Sequence, residues 1–427
     1  YDDFCRYQRK YTKNPDELSS GPMTGVVVCY LGRAYGLFLL ENNAELQARM
    51  IDRLTKAGQF QGAYYELIVM SCMIRAGFKD IILEDETIGD ISRGEFTATY
   101  AETGERVWVE AKARGVVGVL GRTDADGTKS TDPTSSLIKQ LNNALGKPTE
   151  LRRFVFIDLN TISFSGDEPP WKYTAVKKLK AREKAATQGE AAYVFVTNFN
   201  SHLHLEDQAL QSTVLPFGLG IADFVTDEPL RLSELYRRKV KHRAAHGVID
   251  MILTYPQIPE TFDGQPFSHT VSSLPLIKVG QPLAFPAGGY KPELGIVEQV
   301  VVDEGRSKAY VTVEHQSRRH IASVPLTAEE LADYKKYGSA YFGEPVERNH
   351  VSKDVYDHFE WLVRVHREFR REDLMKHLQL HPDYPRFASL KDEDFVLEYC
   401  EMLATSAYAR GQQNEKDVRV VDRAAAR

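Results

Sequence analysis

Two unbroken apolar runs constrain this chain more than any other feature. They are Phe154-Val-Phe-Ile-Asp-Leu159 and Ala192-Tyr-Val-Phe-Val-Thr197. A strand that is apolar on both faces is covered on both faces. Between the two runs, Thr174 to Gln188 reads as a basic helix. Buried strands that alternate with helices predict an α/β sheet with helices packed on it. The 42% hydrophobic and 27% charged content is that of a globular chain, so collagen-like, mucin-like and wholly disordered readings are excluded. With 427 residues there is room for two or three domains.

The rest of the chain divides by texture. Residues 1–24 are polar and carry Pro15 and Gly21-Pro22, which reads as loop. Residues 25–40 mix β-branched, aromatic and glycine residues and predict one or two strands, making 1–43 an N-terminal β/loop segment. Helical period marks Ala44–Ala57 and Phe60–Ala76, the second stopped by Gly77. Ile81–Leu83 reads as a short strand, Arg114–Pro133 as a loop rich in Gly, Thr and Asp, and Ser135–Leu145 as a helix ended by Gly146 and Pro148. The core domain is expected over 44–245. Prolines and glycines crowd residues 254–292 and mark a boundary. Short strands at Gly295–Val302, Ala309–Val313 and Ile321–Val324 predict a small β-barrel-like domain over 276–326. Residues 327–427 are expected to be helical, with amphipathic stretches at Val355–Leu380 and Glu393–Ala409.

Charge and cysteine usage exclude some functions. Fifty-four basic against 60 acidic side chains give a net charge of −6, which rules out a wholly basic coat but not a local basic surface. Cys5, Cys29, Cys72 and Cys400 are far apart, so neither a disulfide scaffold nor a cysteine zinc finger is expected. Free thiols fit a cytoplasmic location. The longest apolar stretch, Gly25–Leu40, is short for a membrane span, carries Arg33 and follows a charged opening, so no membrane association and no signal peptide are expected. The first residue is Tyr, which places the expected start of translation outside this numbering.

The chemistry concentrates in one hairpin. Glu95-Phe-Thr-Ala-Thr-Tyr100 and Arg106-Val-Trp-Val-Glu-Ala-Lys112 both alternate, and Thr103-Gly104 between them is a turn signal. A two-residue turn there pairs Glu102 with Glu105, Thr97 with Glu110 and Glu95 with Lys112. One face then gathers Glu95, Glu110 and Lys112, while Ala111 points to the buried face. Paired carboxylates are costly without a positive charge between them. Mg²⁺, or Mn²⁺, meets that need, and an amine beside it can orient water toward a phosphodiester. Without such context a Glu and a Lys two apart on a strand are an exposed ion pair.

Glu110-Ala-Lys112 at the end of an apolar strand resembles the E-x-K half of the PD-(D/E)xK nuclease superfamily, which includes restriction endonucleases and RecB-like nucleases. Gly94-Glu95-Phe96 stands at the place of its Pro-Asp half, with Gly for Pro and Glu for Asp; Asp90 is the competing acid. Glu66, in Gly62-Ala-Tyr-Tyr-Glu66-Leu-Ile, resembles the acid of the preceding helix that helps hold metal. Gln140, in Leu137-Ile-Lys-Gln140-Leu, resembles a glutamine that some subgroups place beside the site. The resemblance covers about Gln47 to Leu159. It implies a restriction-endonuclease-like mixed sheet flanked by helices, and a metal-dependent deoxyribonuclease. Glu95 or Asp90, Glu110 and Glu66 would hold the ion and Lys112 would position water. A role in restriction or antiphage defence follows by family analogy alone.

DNA is the expected partner. Lys177, Lys178 and Lys180 on the basic helix, Arg114 at the loop, and the cluster Arg237-Arg238-Lys239, Lys241 and Arg243 are candidates for phosphate contacts. A protein partner would use the β-rich or C-terminal helical region, and a homo-oligomer stays open. The alternative function is a non-cutting scaffold or binding subunit with a nuclease fold. A third reading takes His202 and His204, near Glu206, as zinc ligands of a hydrolase. His377 and His381 precede Pro382 and read as a helix end. No Walker A, nucleophile elbow, G-x-G-x-x-G or H-E-x-x-H pattern is present.

Overall fold

The computed structural model describes residues 2–12, 21–83, 96–115, 132–164, 166, 168–186, 189–206, 212–225, 229–256, 258, 277–286, 293–315, 318–343, 352, 354–367 and 369–425. The chain forms two compact units, Tyr1–Val225 with Ala244–Val346, and Thr226–Arg243 with Glu347–Arg427.

The first unit opens with α1 (Asp2–Tyr11) and α2 (Gly25–Phe38). The strands expected over 25–40 are therefore corrected to a helix. The run Val26-Val27-Val28 has strand propensity, but packing overrides it. Gly25, Gly32 and Gly36 fall seven and four residues apart, on one helical face. A Cβ at Gly36 would lie 3.1 Å from Leu67 Cγ, and one at Gly25 would lie 2.2 Å from the carbonyl oxygens of Ser201 and His204. Arg33, the charge within the apolar run, lies over the rings of Phe60 and Tyr64 at 5.4 and 5.5 Å.

Then come α3 (Ala44–Thr55), capped by the Asn43 side chain accepting from Leu46 N–H at 3.1 Å, and α4 (Phe60–Arg75), buried along almost its whole length. Gly77, with φ +91°, ends α4 where the sequence predicts. The strands β1 (Phe78–Leu83), β2 (Phe96–Tyr100), β3 (Arg106–Ala113), β4 (Arg152–Asp158), β5 (Ala192–Phe199) and β6 (Ser212–Leu219) form a six-stranded mixed sheet in that order. The first three are an antiparallel meander, β3, β4 and β5 are parallel, and β6 is antiparallel to β5. The crossovers are α5 (Leu137–Leu145) and α6 (Trp171–Lys184).

Helices cover both faces of this sheet. Val107, Val109, Ala111, Phe154, Phe156, Tyr193 and Phe195 join the core of α3, α4 and α8 (Arg243–Leu253). Trp108, Val155, Ile157, Val194 and Val196 join the core of α5 and α6. The doubly apolar strands thus serve the purpose their sequence implied.

The hairpin register departs from expectation by two residues. Thr97 pairs with Trp108, and Tyr100 N–H donates to Glu105 O at 2.8 Å. The loop is four residues, 101–104, with Gly104 at φ +72°. Since side chains alternate with period two, a shift of two leaves every residue on its expected face.

Within the same unit, β7 (Pro282–Phe285), β8 (Glu293–Asp303), β9 (Lys308–His315) and β10 (Arg318–Pro325) make a four-stranded antiparallel half-barrel, order β10-β9-β8-β7. The expected barrel is open among the described residues, with β7 and β10 as edges. A register shift between Val297 and Gln299 bends β8. The inner face packs Phe285, Val311 and Val313 with Tyr337 of α9 (Ala328–Tyr337) and with Tyr341 and Phe342 beyond it. Thr327 starts α9 as predicted, through a capping box with Glu330.

The second unit is helical: α7 (Leu232–Lys241), α10 (Val355–His366), α11 (Arg371–Lys376), α12 (Tyr384–Ser389) and α13 (Asp392–Ala425). The stretch Val355–Leu380 is two helices rather than one. Phe359, Leu374, Phe387, Phe395 and Cys400 form the core, with Leu232 and Tyr236 of α7 against it. Arg237 pairs with Asp394 at 2.8 Å, Arg238 with Glu234 at 3.1 Å, and Lys239 lies over the Tyr356 ring at 4.0 Å. That basic cluster therefore contributes to the packing of this unit. Among the described residues no helix is long and apolar enough to cross a membrane.

Candidate functional site

Strand β3 carries Glu110 and Lys112 to the α5 side of the sheet, in register with Val155 and Ile157 of β4. Glu110 is fully buried. Its Oε1 lies 3.0 Å from Lys112 Nζ and 2.6 Å from Lys147 Nζ. A buried carboxylate needs such compensation, because desolvation is expensive. Lys147 follows the end of α5, at the Gly146-Pro148 stop, and its role was not foreseen from sequence. The signal was a lysine enclosed by helix-breaking residues, which says where the helix ends but not what the lysine reaches. Gln140 of α5 donates from Nε2 to Ala113 O at a long 3.4 Å; its Oε1 is buried without a hydrogen-bond partner among the described residues. Of the expected catalytic set Glu95, Glu110, Lys112 and Gln140, the last three thus lie about the carboxyl end of β3.

The other expected acids divide. Asp90 and Glu95 lie outside the described residues. Glu66 is held instead by Arg53 of α3, whose two terminal nitrogens reach its two oxygens at 2.5 and 2.6 Å, the planar bidentate match of guanidinium to carboxylate. Its helix, α4, packs on the Val107–Val109–Ala111 face, opposite to the face of Glu110. Among the described residues no group of three or more His, Cys, Asp or Glu is placed to hold a metal ion.

Of the expected phosphate contacts, Lys177 and Lys180 are exposed on α6. Lys178 serves the fold: its Nζ donates to Asp132 Oδ2 at 2.7 Å and to Thr134 O and Oγ1 at 3.0 and 2.8 Å. The Lys178 ammonium, with the Thr134 donors, draws the Asp132 carboxyl down to about 2. Arg114 is tied to the sheet end, N–H to Asp158 O at 2.8 Å and Nη1 to Leu159 O at 3.4 Å.

A second polar cluster, unforeseen from sequence, sits at the carboxyl ends of β4 and β5 on the α4 face. Asp158 is buried; its Oδ1 accepts from Thr197 Oγ1 at 2.9 Å and Phe199 N–H at 3.0 Å, and its Oδ2 from Asn160 N–H at 3.0 Å. Thr197 Oγ1 meets Tyr65 Oη at 2.8 Å. Burial pushes the Asp158 carboxyl up to about 7 despite these donors. Asn160, at φ +45°, places Oδ1 2.8 Å from His202 Nε2. His202 and Asp158 border a cavity also lined by Phe60, Tyr64 and Ala113. The signal was the acid closing an otherwise apolar strand. His202 lies in a 3-10 turn (Ser201–Leu203) just beyond the end of β5 at Phe199. His204 Nε2 accepts from Ser163 N–H at 3.2 Å, so the two imidazoles of the zinc reading engage different partners.

The chain matches no protein-family model, no curated protein and no solved structure.

Proposed function

We propose that the chain is a metal-dependent nuclease of the PD-(D/E)xK kind, with a restriction-endonuclease-like core, hydrolysing DNA phosphodiesters with Mg²⁺ or Mn²⁺. The observation that carries this reading is the meeting of Glu110 and Lys112 at 3.0 Å on one face of β3. The order α4–β1–β2–β3–α5–β4 supports it, being the helix, meander, helix and strand of that superfamily. Gln140 against the end of β3 supports it further.

The donor chemistry at Glu110 fits a hard divalent cation. A carboxylate oxygen is present, and two ammonium groups stand on it as cationic stand-ins. Glu110 would hold the ion, with Glu95 or Asp90 as the second acid; Glu66 is engaged by Arg53 and is left out of the set. A bound ion supplies Lewis acidity at the phosphate and lowers the pKa of water. Lys112, the more exposed of the two amines, orients the attacking water and neutralises charge on a phosphate oxygen. The water attacks phosphorus in line with the leaving oxygen. Gln140 fastens α5 beside the end of β3. Lys177 and Lys180 supply backbone contacts to DNA.

The test is plasmid cleavage with Mg²⁺ or Mn²⁺, with folding checked by thermal melting. Wild type cuts, and Glu110→Gln and Lys112→Ala lower the rate by roughly 100-fold or more. Equal cutting by all three removes the site. A second reading, a non-cutting scaffold or binding subunit, is favoured by one observation: Glu110 and Glu66 are both charge-compensated by side chains. Folded wild type that binds DNA but never cuts it decides for that reading.

A further inference from the structure

Helix α6 divides its side chains into three sets. Trp171, Ala175 and Leu179 are buried against the face of the sheet that carries Glu110 and Lys112. Lys172, Lys178 and Arg182 serve the fold: Lys172 pairs with Glu168 at 2.5 Å, Lys178 with Asp132 at 2.7 Å and Arg182 with Glu190 at 2.9 Å. Tyr173, Lys177, Lys180 and Lys184 make the third set, and all are exposed. At about 100° per residue they fall within about 60° of one another, on the side opposite Trp171, Ala175 and Leu179. They form one row, about 16 Å long at a rise of about 1.5 Å per residue.

A row of lysines on a helix is an ordinary solvated face. Tyr173 is not ordinary in it: the residue is 78% exposed, and an aromatic ring left in water forgoes the burial that makes it valuable. Its place in the fold matters too. Helix α6 leads from β4 to the parallel strand β5, so its first turn follows the carboxyl end of β4. Lys112 is in register with Ile157, next to the last residue of β4. Tyr173 therefore opens the row at the end of the sheet where Lys112 stands, and on the same face.

We propose that this row is a track for unpaired DNA, with Tyr173 stacking on a base and the lysines holding phosphates. The ring decides for an unpaired strand. Within a duplex each base face is covered by its neighbours, and lysines alone would serve the backbone; a base out of the stack offers its face to Tyr173. Phosphates complement the lysines, and every base has a π-face, so the track tolerates any sequence. The occupant is an overhang, or a strand opened beside the cut. This deepens the reading of the chain as a DNA nuclease: it rests on DNA as the substrate and names the form that DNA takes near the site. Were α6 only a solvated face, Tyr173 would contribute nothing to binding, and the lysines would act on single and paired strands alike.

The experiment is fluorescence anisotropy of the full chain with a short labelled oligothymidylate and with a blunt duplex, in EDTA so that no strand is cut. Tyr173→Ala is expected to weaken single-strand binding by about tenfold and duplex binding by less than about twofold. Tyr173→Phe keeps the ring and stays within about twofold of wild type. The double variant Lys177→Gln, Lys184→Gln removes two phosphate contacts and flattens the slope of log affinity against log salt for the single strand by about 1.4. These positions are exposed, and thermal melting checks that the variants fold. Single-strand affinity unchanged in Tyr173→Ala, or lost equally for both forms of DNA, overturns the inference, as does an unchanged salt slope in the double variant. Oligouridylate bound more tightly than oligothymidylate overturns DNA as the occupant. Cleavage with Mg²⁺ is read apart from binding. Wild type that binds single strands through Tyr173 yet never cuts keeps the track and removes the nuclease. Wild type that cuts, beside a Tyr173→Ala variant that binds single strands equally well, keeps the nuclease and removes the track.

Discussion

At Asp158, burial works against ionisation. The ordinary carboxylate value of 3.8 is raised to about 7, with desolvation the largest cause and the donors from Phe199, Thr197 and Asn160 opposing it. Between those values the folded protein holds a proton that the unfolded chain has released. The sign follows from linkage: this group's contribution is fully present below about pH 4, declines as pH rises, and is gone above about pH 7. Over that window the loss is on the order of 4 kcal/mol. The protonated acid has a place for its hydrogen, because the Thr197–Tyr65 hydroxyl pair can reverse direction. Asp158→Asn is expected to flatten the decline in denaturant-derived stability between pH 4 and 7. It also loses the acceptor for Asn160 N–H, so it is less stable at every pH. An unchanged slope in that variant would remove Asp158 as the titrating group. Residues of this kind were hard to read in advance. Asp158 sits in plain view within Phe-Val-Phe-Ile-Asp-Leu, but nothing local says that Thr197, from β5, will face it. Lys147 is the same case: it lies 37 residues from Glu110 and reaches it only because β4 returns parallel to β3.

Elements were more legible where both faces of a segment had the same demand. Strands β4 and β5 are apolar on both faces, and their place between two helical layers followed from that. Helix α2 was misread because local and tertiary preferences conflict: three consecutive valines favour a strand, whereas glycines at 25, 32 and 36 suit one close-packed helical face. The spacing was visible, but its meaning depends on the neighbours that approach, Leu67, Tyr255 and the turn after β5. The hairpin was misread in length only. Thr103-Gly104 marked the turn, and the extra residues 101 and 102 left the alternation of faces intact, so Glu110 and Lys112 still share a side. The docking of α2 makes its own prediction. Gly25 N–H donates to His204 O at 3.2 Å and Val26 N–H to Leu205 O at 3.0 Å, so a side chain at Gly25 must push the 201–204 turn away from the helix start. Gly25→Ala is expected to destabilise the first unit by about 1–3 kcal/mol, read from its denaturant midpoint. A midpoint equal to wild type would mean that the turn yields without cost.

For the whole molecule, the informative fact is how the chain is shared between units. It leaves the first unit at residue 225, contributes α7 to the second, and re-enters the first at 244 before leaving again after 346. The second unit therefore contains two segments far apart in sequence, a partition no texture change announces. Its core depends on both: Tyr236 of α7 packs edge-on to Phe359 at 5.9 Å, and Arg231 reaches Glu398 at 2.7 Å and Glu401 at 3.0 Å across the same unit. Those carboxylates, with the hydrogen bond to Glu398 foremost, raise the Arg231 guanidinium further above its ordinary value, so the cationic half of this pairing stays charged throughout the working pH range. Each unit has its own apolar core, and separate cores melt as separate cooperative transitions unless a strong interface couples them. Phe395 is fully buried in the second core, and truncating it to Ala costs about 3–5 kcal/mol there. In scanning calorimetry Phe395→Ala is expected to lower one transition by several degrees and leave the other in place. If a single transition instead moves as a whole, the two units unfold as one, and the stability of neither can be treated apart from the other's.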